Sequence, residues 1–447
     1  MHDGRWMRAL AAVGWCALGV GVAGCEGAAP AVRAQDHVVT QGAPVVYGDD
    51  DRRDFYDVSS PLWRQRTQES VVALMPSSAL VPAGAGRFRV RAGTLREELG
   101  VCEDERFASQ PAAAFCSGTL VDDDLVLTAG HCFDSAADCN GMRFVFGYYL
   151  ATPGSPVEVT SAEVFRCQEV VLRRLNGTSR PEATQDYALV RLDRSAAPRF
   201  RPVPRRPSQD PLRVGEALTL ISFGSGLPAK IDQGGRVAFV GRSASATGFG
   251  LHVDAFGGSS GGGVFDAAGR LVGSLVGGEE DYVRQGNCLR PNRLPATPSN
   301  AFEIASFADV AIADLCLLGY PSGRLCTLDD AWTCSASARG GDDGCDCGCG
   351  SWDPDCDLGP STACAAGRYC RTDLVCADER SSWERPPLPA GLPLFDGTSG
   401  EGGGLFCSAL HRRPWPPAGV WVVLLALLAG RRRGGSGRRH LNRTSAG

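Results

Sequence analysis

The chain has 447 residues, 43% of them hydrophobic and 21% charged, with a formal net charge of −5. That length leaves room for one large domain with additions and a sizeable core. Lys230 is the sole lysine beside abundant arginine, and no basic stripe gathers before residue 431, so composition argues against a nucleic-acid surface.

At the amino end Arg5 and Arg8 precede an apolar stretch from Ala9 to Ala23. The stretch is too short to span a bilayer as a stable helix and has the form of a secretory signal. It runs into Val22-Ala23-Gly24-Cys25, which resembles a bacterial lipobox; that resemblance implies cleavage before Cys25 and a lipid anchor on it. The alternative is an ordinary signal with small residues near its cleavage site. Residues 1–24 are thus expected to be a signal peptide and 25–44 a flexible leader. Export suits a chain with 19 cysteines.

The folded region is expected to begin at Val45-Val46-Tyr47-Gly48-Asp49-Asp50-Asp51-Arg52. Beyond it come short apolar runs, among them 71–75, 125–128, 188–192, 218–222, 237–240 and 271–276, separated by Gly, Pro and Asp. Such punctuation predicts an all-β fold of sandwich or barrel type. The acidic run Asp122-Asp123-Asp124 predicts a solvated hairpin turn between 118–121 and 125–128. Prolines 198, 202, 204, 207 and 211 cluster where a boundary between two halves is expected, near 195–212.

Three segments carry chemistry, in the order Thr128-Ala129-Gly130-His131-Cys132, Asp186-Tyr187-Ala188-Leu189-Val190 and Gly257-Gly258-Ser259-Ser260-Gly261-Gly262. A serine hydroxyl is a weak nucleophile at neutral pH. An imidazole must take its proton, and a buried carboxylate must hold that imidazole in one tautomer. Ser260, His131 and Asp186 supply these groups. Asp122, Asp123, Asp124 and Asp134 compete for the acid's role, but Asp186 leads directly into a strand-like apolar run, as a carboxylate buried at a barrel mouth should. The glycines beside Ser260 allow a sharp turn, and the Gly258 and Ser260 amides are assigned as the oxyanion hole, worth roughly 3 to 4 kcal/mol per donor. Of six histidines, His2, His411 and His440 lie in terminal segments and His37 precedes the folded region. His252, eight residues before Ser260, either lines the substrate pocket or is structural. A metal-dependent hydrolase would need a histidine cluster that the sequence lacks.

At these segments the chain resembles the chymotrypsin-like (trypsin-fold) serine proteases, over residues 45–315. The resemblance implies two six-stranded β-barrels meeting at a cleft, with His131 and Asp186 in the first and Ser260 in the second. It also implies a Cys116–Cys132 disulfide and polypeptide substrates. Val45 to Arg52, with Gly224-Ser225-Gly226-Leu227-Pro228-Ala229-Lys230 and Asp254 to Ser260, resembles the bacterial glutamyl-endopeptidase-like branch. Ser259 departs from the acid or amide common before the nucleophile, which leaves no partner for a freed amino terminus. Asp254 stands where trypsins hold the carboxylate that binds basic side chains. The branch's glutamate-selecting histidine would fall near Leu275. Val276, Gly277 and Gly278 are expected to form the pocket wall beside the substrate backbone.

Ten cysteines between Cys316 and Cys376 predict a small module, residues 316–379, stapled by five disulfides of unassigned pairing. Zinc is disfavoured because the segment has no histidine. Asp342, Asp343, Asp346, Asp353, Asp355 and Asp357 offer oxygen ligands for calcium, the one cofactor considered; solvated acidic turns are the alternative, and no other metal or cofactor is expected. This part resembles cysteine-rich modules of myxobacterial surface proteins. Residues 380–406 form a Pro/Gly-rich linker. The tail, 407–447, combines Cys407, a short apolar run 418–430 and Arg431-Arg432-Arg433, and resembles the myxobacterial sorting tag MYXO-CTERM. The expectation is an exported serine endopeptidase at the cell surface or outer membrane of a Gram-negative bacterium, or released from it, held to the membrane by the lipid anchor, the tail or both. The alternative is a catalytically silent adhesion or binding protein on the same fold.

Overall fold

The structure is a computed structural model that describes residues 45–176, 181–241 and 246–326, with Cys334, Cys347, Cys349, Asp353, Cys356, Cys364, 368–371 and 374–378 beyond them. The signal, the leader with Cys25, the linker, the sorting tail and five of the six candidate calcium aspartates lie outside the described residues.

Two short strands, β1 (Val46–Tyr47) and β2 (Arg52–Asp54), open the described chain, and helix α1 (Pro61–Glu69) follows with proline in its first turn. Then come β3 (Val71–Pro76), the hairpin β4 (Leu80–Gly84) and β5 (Arg87–Val90), and helix α2 (Leu95–Leu99). A capping box of Thr94 and Glu97 starts α2, and Gly100, at φ 74°, ends it. The next strands are β6 (Cys116–Asp122), β7 (Leu125–Thr128), β8 (Met142–Val145), β9 (Glu158–Thr160), β10 (Val164–Asn176) and β11 (Gln185–Leu192). Five of these, with β3, close a barrel in the order β10-β11-β7-β6-β3-β8.

Alternate residues fill that barrel. Val72, Leu74, Leu120, Val126, Phe144, Ala188 and Val190 form one buried cluster, while Val71, Ala73, Met75, Leu125, Leu127, Tyr187 and Leu189 join another with Ile221, Phe223, Ile231 and Phe265. Both faces of these strands are therefore covered, which is why they read as continuous apolar runs and not as alternating ones.

The second half contains β12 (Thr219–Ser222), β13 (Lys230–Asp232), β14 (Arg236–Val240), β15 (Gly248–His252), β16 (Gly263–Phe265) and β17 (Leu271–Gly277). The hairpin β18 (Tyr282–Gln285) and β19 (Cys288–Pro291) follows, then β20 (Arg293–Leu294), which pairs in parallel with β1, and β21 (Glu303–Phe307). In place of a second closed six-stranded barrel, one eight-stranded sheet runs β14-β15-β21-β17-β16-β12-β13-β2. It curls back on itself, because the lead into β12 bonds to the lead into β14: Leu218 N–H donates to Gly235 O at 2.8 Å and Val237 N–H to Glu216 O at 2.9 Å.

The acidic turn between β6 and β7 is a hairpin turn but not a solvated one. Asp122, Asp123 and Asp124 are all under 5% exposed. Arg324 lies 3.6 Å from both Asp122 and Asp123, Arg191 lies 3.3 Å from Asp124, and the amides of Leu192 and Ala196 bond to the turn's carbonyls. Buried carboxylates persist only when charge and hydrogen bonds compensate them, and the arginines come from elsewhere in the chain.

The packed body also runs past the expected edge at 315. Helix α3 (Ala308–Leu317) and the short α4 (Gly323–Cys326) are joined by the Cys316–Cys326 disulfide, and Leu315, Tyr320 and Leu325 belong to the core cluster of the barrel. Within the remaining module, Cys334–Cys349, Cys347–Cys370 and Cys364–Cys376 are paired. Cys102–Cys288 and Cys139–Cys167, which the sequence did not single out, cross-link the larger body. Among the described residues no helix is long and apolar enough to cross a membrane.

Candidate active site

Strand β7 delivers the chain to a 3-10 turn, Gly130–Cys132, and the Cys116–Cys132 disulfide ties that turn to the first residue of β6. Gly130 is required there: a Cβ would fall 2.2 Å from Arg174 O, so only glycine lets the turn abut β10. Arg173 Nε donates to Gly130 O at 2.8 Å and fixes it further.

His131 meets Asp186 at two points. Its backbone N–H donates to Asp186 Oδ1 at 3.0 Å, and ring Nδ1 lies 2.6 Å from Oδ2. A carboxylate on Nδ1 selects the tautomer in which Nδ1 carries hydrogen and leaves Nε2 as the acceptor. Asp186 is nearly buried on β11, opposite Leu175 of β10, and is held from the second half by Ser306. The Asp186 amide donates to Ser306 Oγ at 3.3 Å, and that hydroxyl donates back to Asp186 O at 3.1 Å.

The glycine-rich segment makes the turn that its composition predicts. Gly258 has φ 96° and Gly261 φ 85°, where a side chain is strained, and a Cβ on Gly261 would lie 2.0 Å from Ser117 O. Ser117, buried on β6, holds this turn against the first barrel. Its N–H donates to Ser260 O at 2.7 Å, and its hydroxyl donates to Gly258 O at 2.8 Å. The same hydroxyl accepts from Phe223 N–H at 2.9 Å, and Ser117 O accepts from Thr128 Oγ1 at 2.7 Å. Cys132 Sγ lies 3.9 Å from Ser260 O, so the residue after His131 stands beside the backbone of Ser260. Ser259 uses its hydroxyl inside the turn, accepting from Phe256 N–H at 3.2 Å and from Ser222 Oγ at 3.0 Å. Asp281 accepts from Gly257 N–H at 2.9 Å.

The expected pocket residues separate into two groups. Val276, Gly277 and Gly278 continue the strand that flanks the turn, since Gly261 N–H donates to Leu275 O at 2.7 Å and Leu275 N–H to Gly262 O at 2.9 Å. Asp254 does not present an open carboxylate. It is buried beneath residues 45–51 and accepts from Tyr47 N–H at 2.8 Å and Asp51 N–H at 2.6 Å, while its own amide donates to Asp232 Oδ2 at 2.6 Å. Burial and the neighbouring Asp232 push its carboxyl well above the usual range. His252 is half-buried; its Nε2 lies 3.2 Å from Ala301 O, its ring packs 5.1 Å from that of Tyr47, and burial lowers its pKa. Ser117, Ser306, Arg173 and Asp281 carried no signal in the sequence, because each meets the site only through long-range contact. Cys25 lies outside the described residues.

Residues 116–273, which span both halves and all three candidate groups, match the family profile described as a trypsin-like peptidase domain. Among curated proteins, snake venom serine protease 3 of Protobothrops jerdonii is 31% identical over 117 residues, covering 26% of this chain and 41% of that protein. The chain thus spans less than half the length of that relative. Similar solved structures include the VesB protease of Vibrio cholerae, at 15% identity and TM-score 0.34 over 60% of this chain and 68% of that one. Another is the inactive form of the Rv3671c protease, at 15% identity and TM-score 0.34 over 62% and 99% of the two chains.

Proposed function

We propose that this chain is a serine endopeptidase that cleaves polypeptides through Ser260, His131 and Asp186. The observation that carries the reading is the double contact of His131 with Asp186 next to the turn that bears Ser260. In this reading Ser260 Oγ attacks the scissile carbonyl and His131 Nε2 takes the hydroxyl proton. The imidazolium, stabilised by Asp186, returns that proton to the leaving amine, and water then hydrolyses the acyl-enzyme by the same route in reverse. The Gly258 and Ser260 amides serve the developing oxyanion.

We also infer that the second half acts as a barrel in the chymotrypsin manner, on the glutamyl-endopeptidase-like branch that the start at Val45 resembles. Export by the amino-terminal signal, lipid attachment at Cys25, membrane association, surface display by the sorting tail and calcium in the cysteine-rich module are proposed on their sequence motifs alone. A fluorophosphonate probe tests the activity. Wild-type protein should label and hydrolyse peptides, and Ser260→Ala should do neither. Absence of label, with peptide hydrolysis identical in the two proteins, would overturn the enzyme and leave the binding protein.

A further inference from the structure

Gly257 and Gly258 share one peptide bond, and its orientation decides whether the Gly258 N–H can serve an oxyanion. A trans peptide is planar, so its carbonyl and its N–H point in opposite directions. Gly257 O accepts from Ser225 N–H at 2.6 Å. The Gly258 N–H therefore points away from Ser225, and it donates to no acceptor among the described residues. With glycine on both sides of the bond, sterics alone would let this peptide rotate. Its orientation has to be held by its partners.

The partner on the carbonyl is itself strained. Ser225 is buried and has φ 55°, in the left-handed region that a serine rarely adopts. Released, it would return to negative φ and swing its N–H off Gly257 O. Its hydroxyl opposes that, because Ser225 Oγ and Tyr282 Oη share a hydrogen bond at 2.6 Å. The Tyr282 ring also lies 5.2 Å from the ring of Phe256, and the Arg52 guanidinium lies 3.9 Å from that same ring. Asp281, just before Tyr282, accepts from Gly257 N–H at 2.9 Å. Two consecutive residues thus hold both polar groups of Gly257, one directly and one through Ser225. They stand at the base of the β18–β19 hairpin, which is tied down in turn. Cys288 is bonded to Cys102, the Leu289 amide donates to Gly100 O at 3.0 Å, and the Asn292 amide donates to Asp281 O at 2.7 Å.

We propose that Tyr282 is a positioning residue for the oxyanion hole: through Ser225 it holds the Gly257–Gly258 peptide with the Gly258 N–H turned toward the reacting carbonyl. The hole then stands assembled before substrate arrives, with no reorganisation left for the moment of reaction. The assignment rests on the endopeptidase reading above.

The test uses the full-length protein, a fluorophosphonate, a peptide substrate of the wild type and the aldehyde of the same peptide. Ser260 Oγ adds to the aldehyde carbon, the carbonyl π pair moves onto the aldehyde oxygen, and the hydroxyl proton passes to His131; the inhibition constant therefore reads the hole. Tyr282→Phe keeps the ring and loses only the hydroxyl, and Ser225→Ala keeps the N–H and loses the same bond. Each should lower kcat and raise the aldehyde inhibition constant by roughly 10- to 100-fold, with KM within about threefold. The double variant should be no worse than either single one, since all three lack one and the same bond. Val283→Ser, at an exposed position of the same hairpin, should change none of these. A lower melting temperature with kcat and aldehyde inhibition unchanged makes Tyr282 merely structural and overturns the assignment. So do additive losses in the double variant, or equal losses in Val283→Ser. A crystal structure of the wild-type aldehyde adduct decides the matter even if the variants fail to fold. Gly258 N should lie within hydrogen-bond distance of the adduct oxygen with Gly257 O still on Ser225, and a reversed peptide overturns the proposal. A wild type that takes no fluorophosphonate label refutes the enzyme itself, which is a different result.

Discussion

Ser117 spends its backbone and its hydroxyl on four partners, Ser260, Gly258, Phe223 and Thr128. Two belong to the turn that carries the candidate nucleophile and oxyanion donors, so the serine sets the distance between that turn and the first barrel. No acid stands at 259 to anchor the turn by an ion pair; hydroxyls and the Asp281 carboxylate hold it instead. Ser117→Ala would keep both of Ser117's main-chain bonds but leave Gly258 O and Phe223 N–H without their partner, at a stability cost of about 1–3 kcal/mol. A small shift of reacting groups weakens catalysis more than binding. We therefore expect kcat and the fluorophosphonate labelling rate to fall together by roughly 10- to 100-fold, with KM within about threefold. Steady-state kinetics beside a thermal melt would check this; a melt shift with unchanged kcat would reduce Ser117 to a structural residue. Its neighbours in sequence gave no hint of this role, because three of its four partners lie more than a hundred residues away and the fourth, Thr128, is brought to it by strand pairing.

The segment from β1 to β2 shows how an element is held by acids under protest. Asp254 accepts two of its amides, and Asp232 accepts the amides of Asp254 and Gly234. Burial above all raises both carboxyls, Asp232 to about 6 against the amides it accepts, and Asp254 to about 8 with Asp232 adding to the shift. Asp51 and Asp50 face Asp232, and Arg52, paired with Asp50, faces Asp254. Carboxyls raised in the folded state stabilise it fully below their unfolded value near 4, and that contribution is lost as pH rises through the folded values. Wild-type stability should accordingly decline between about pH 5 and 8, by up to about 1.4 kcal/mol per pH unit for each group. Thermal melts across that range should show a flatter decline in Asp232→Asn; equal slopes in the two proteins would contradict the account. At this scale the sequence marked the right residues for a different purpose. Asp254 looked like a pocket acid by its distance from Ser260, but that spacing does not say which chain segment will lie over it. The β6–β7 hairpin is a parallel case: its turn was legible from three aspartates, while its burial depended on Arg324 and Arg191 arriving from afar.

For the molecule as a whole, the position of α4 matters most. Arg324 faces two buried aspartates, and Tyr320 and Leu325 fill the same core as barrel strands. A chain ending at 326 should fold and label with fluorophosphonate, whereas one ending at 315 loses those core side chains and leaves Asp122 and Asp123 without Arg324. Removing one partner of a buried pair typically costs about 3–5 kcal/mol, so the shorter chain should melt markedly lower or fail to accumulate. Equal stability of the two would show that α4 is dispensable. By itself the sequence determined the mostly β class, the β6–β7 hairpin, the glycines of the turn that bears Ser260 and the three chemistry-bearing segments, because local sterics and short-range apolar patterning fix each of them. Only the tertiary structure decided that His131 and Asp186 meet, that Ser117 holds the turn, that Asp254 is closed off, and how far the body extends. Those outcomes depend on which distant segments share one buried space, where a charge or hydroxyl is tolerated only beside its partner, and spacing along a chain does not encode that neighbour.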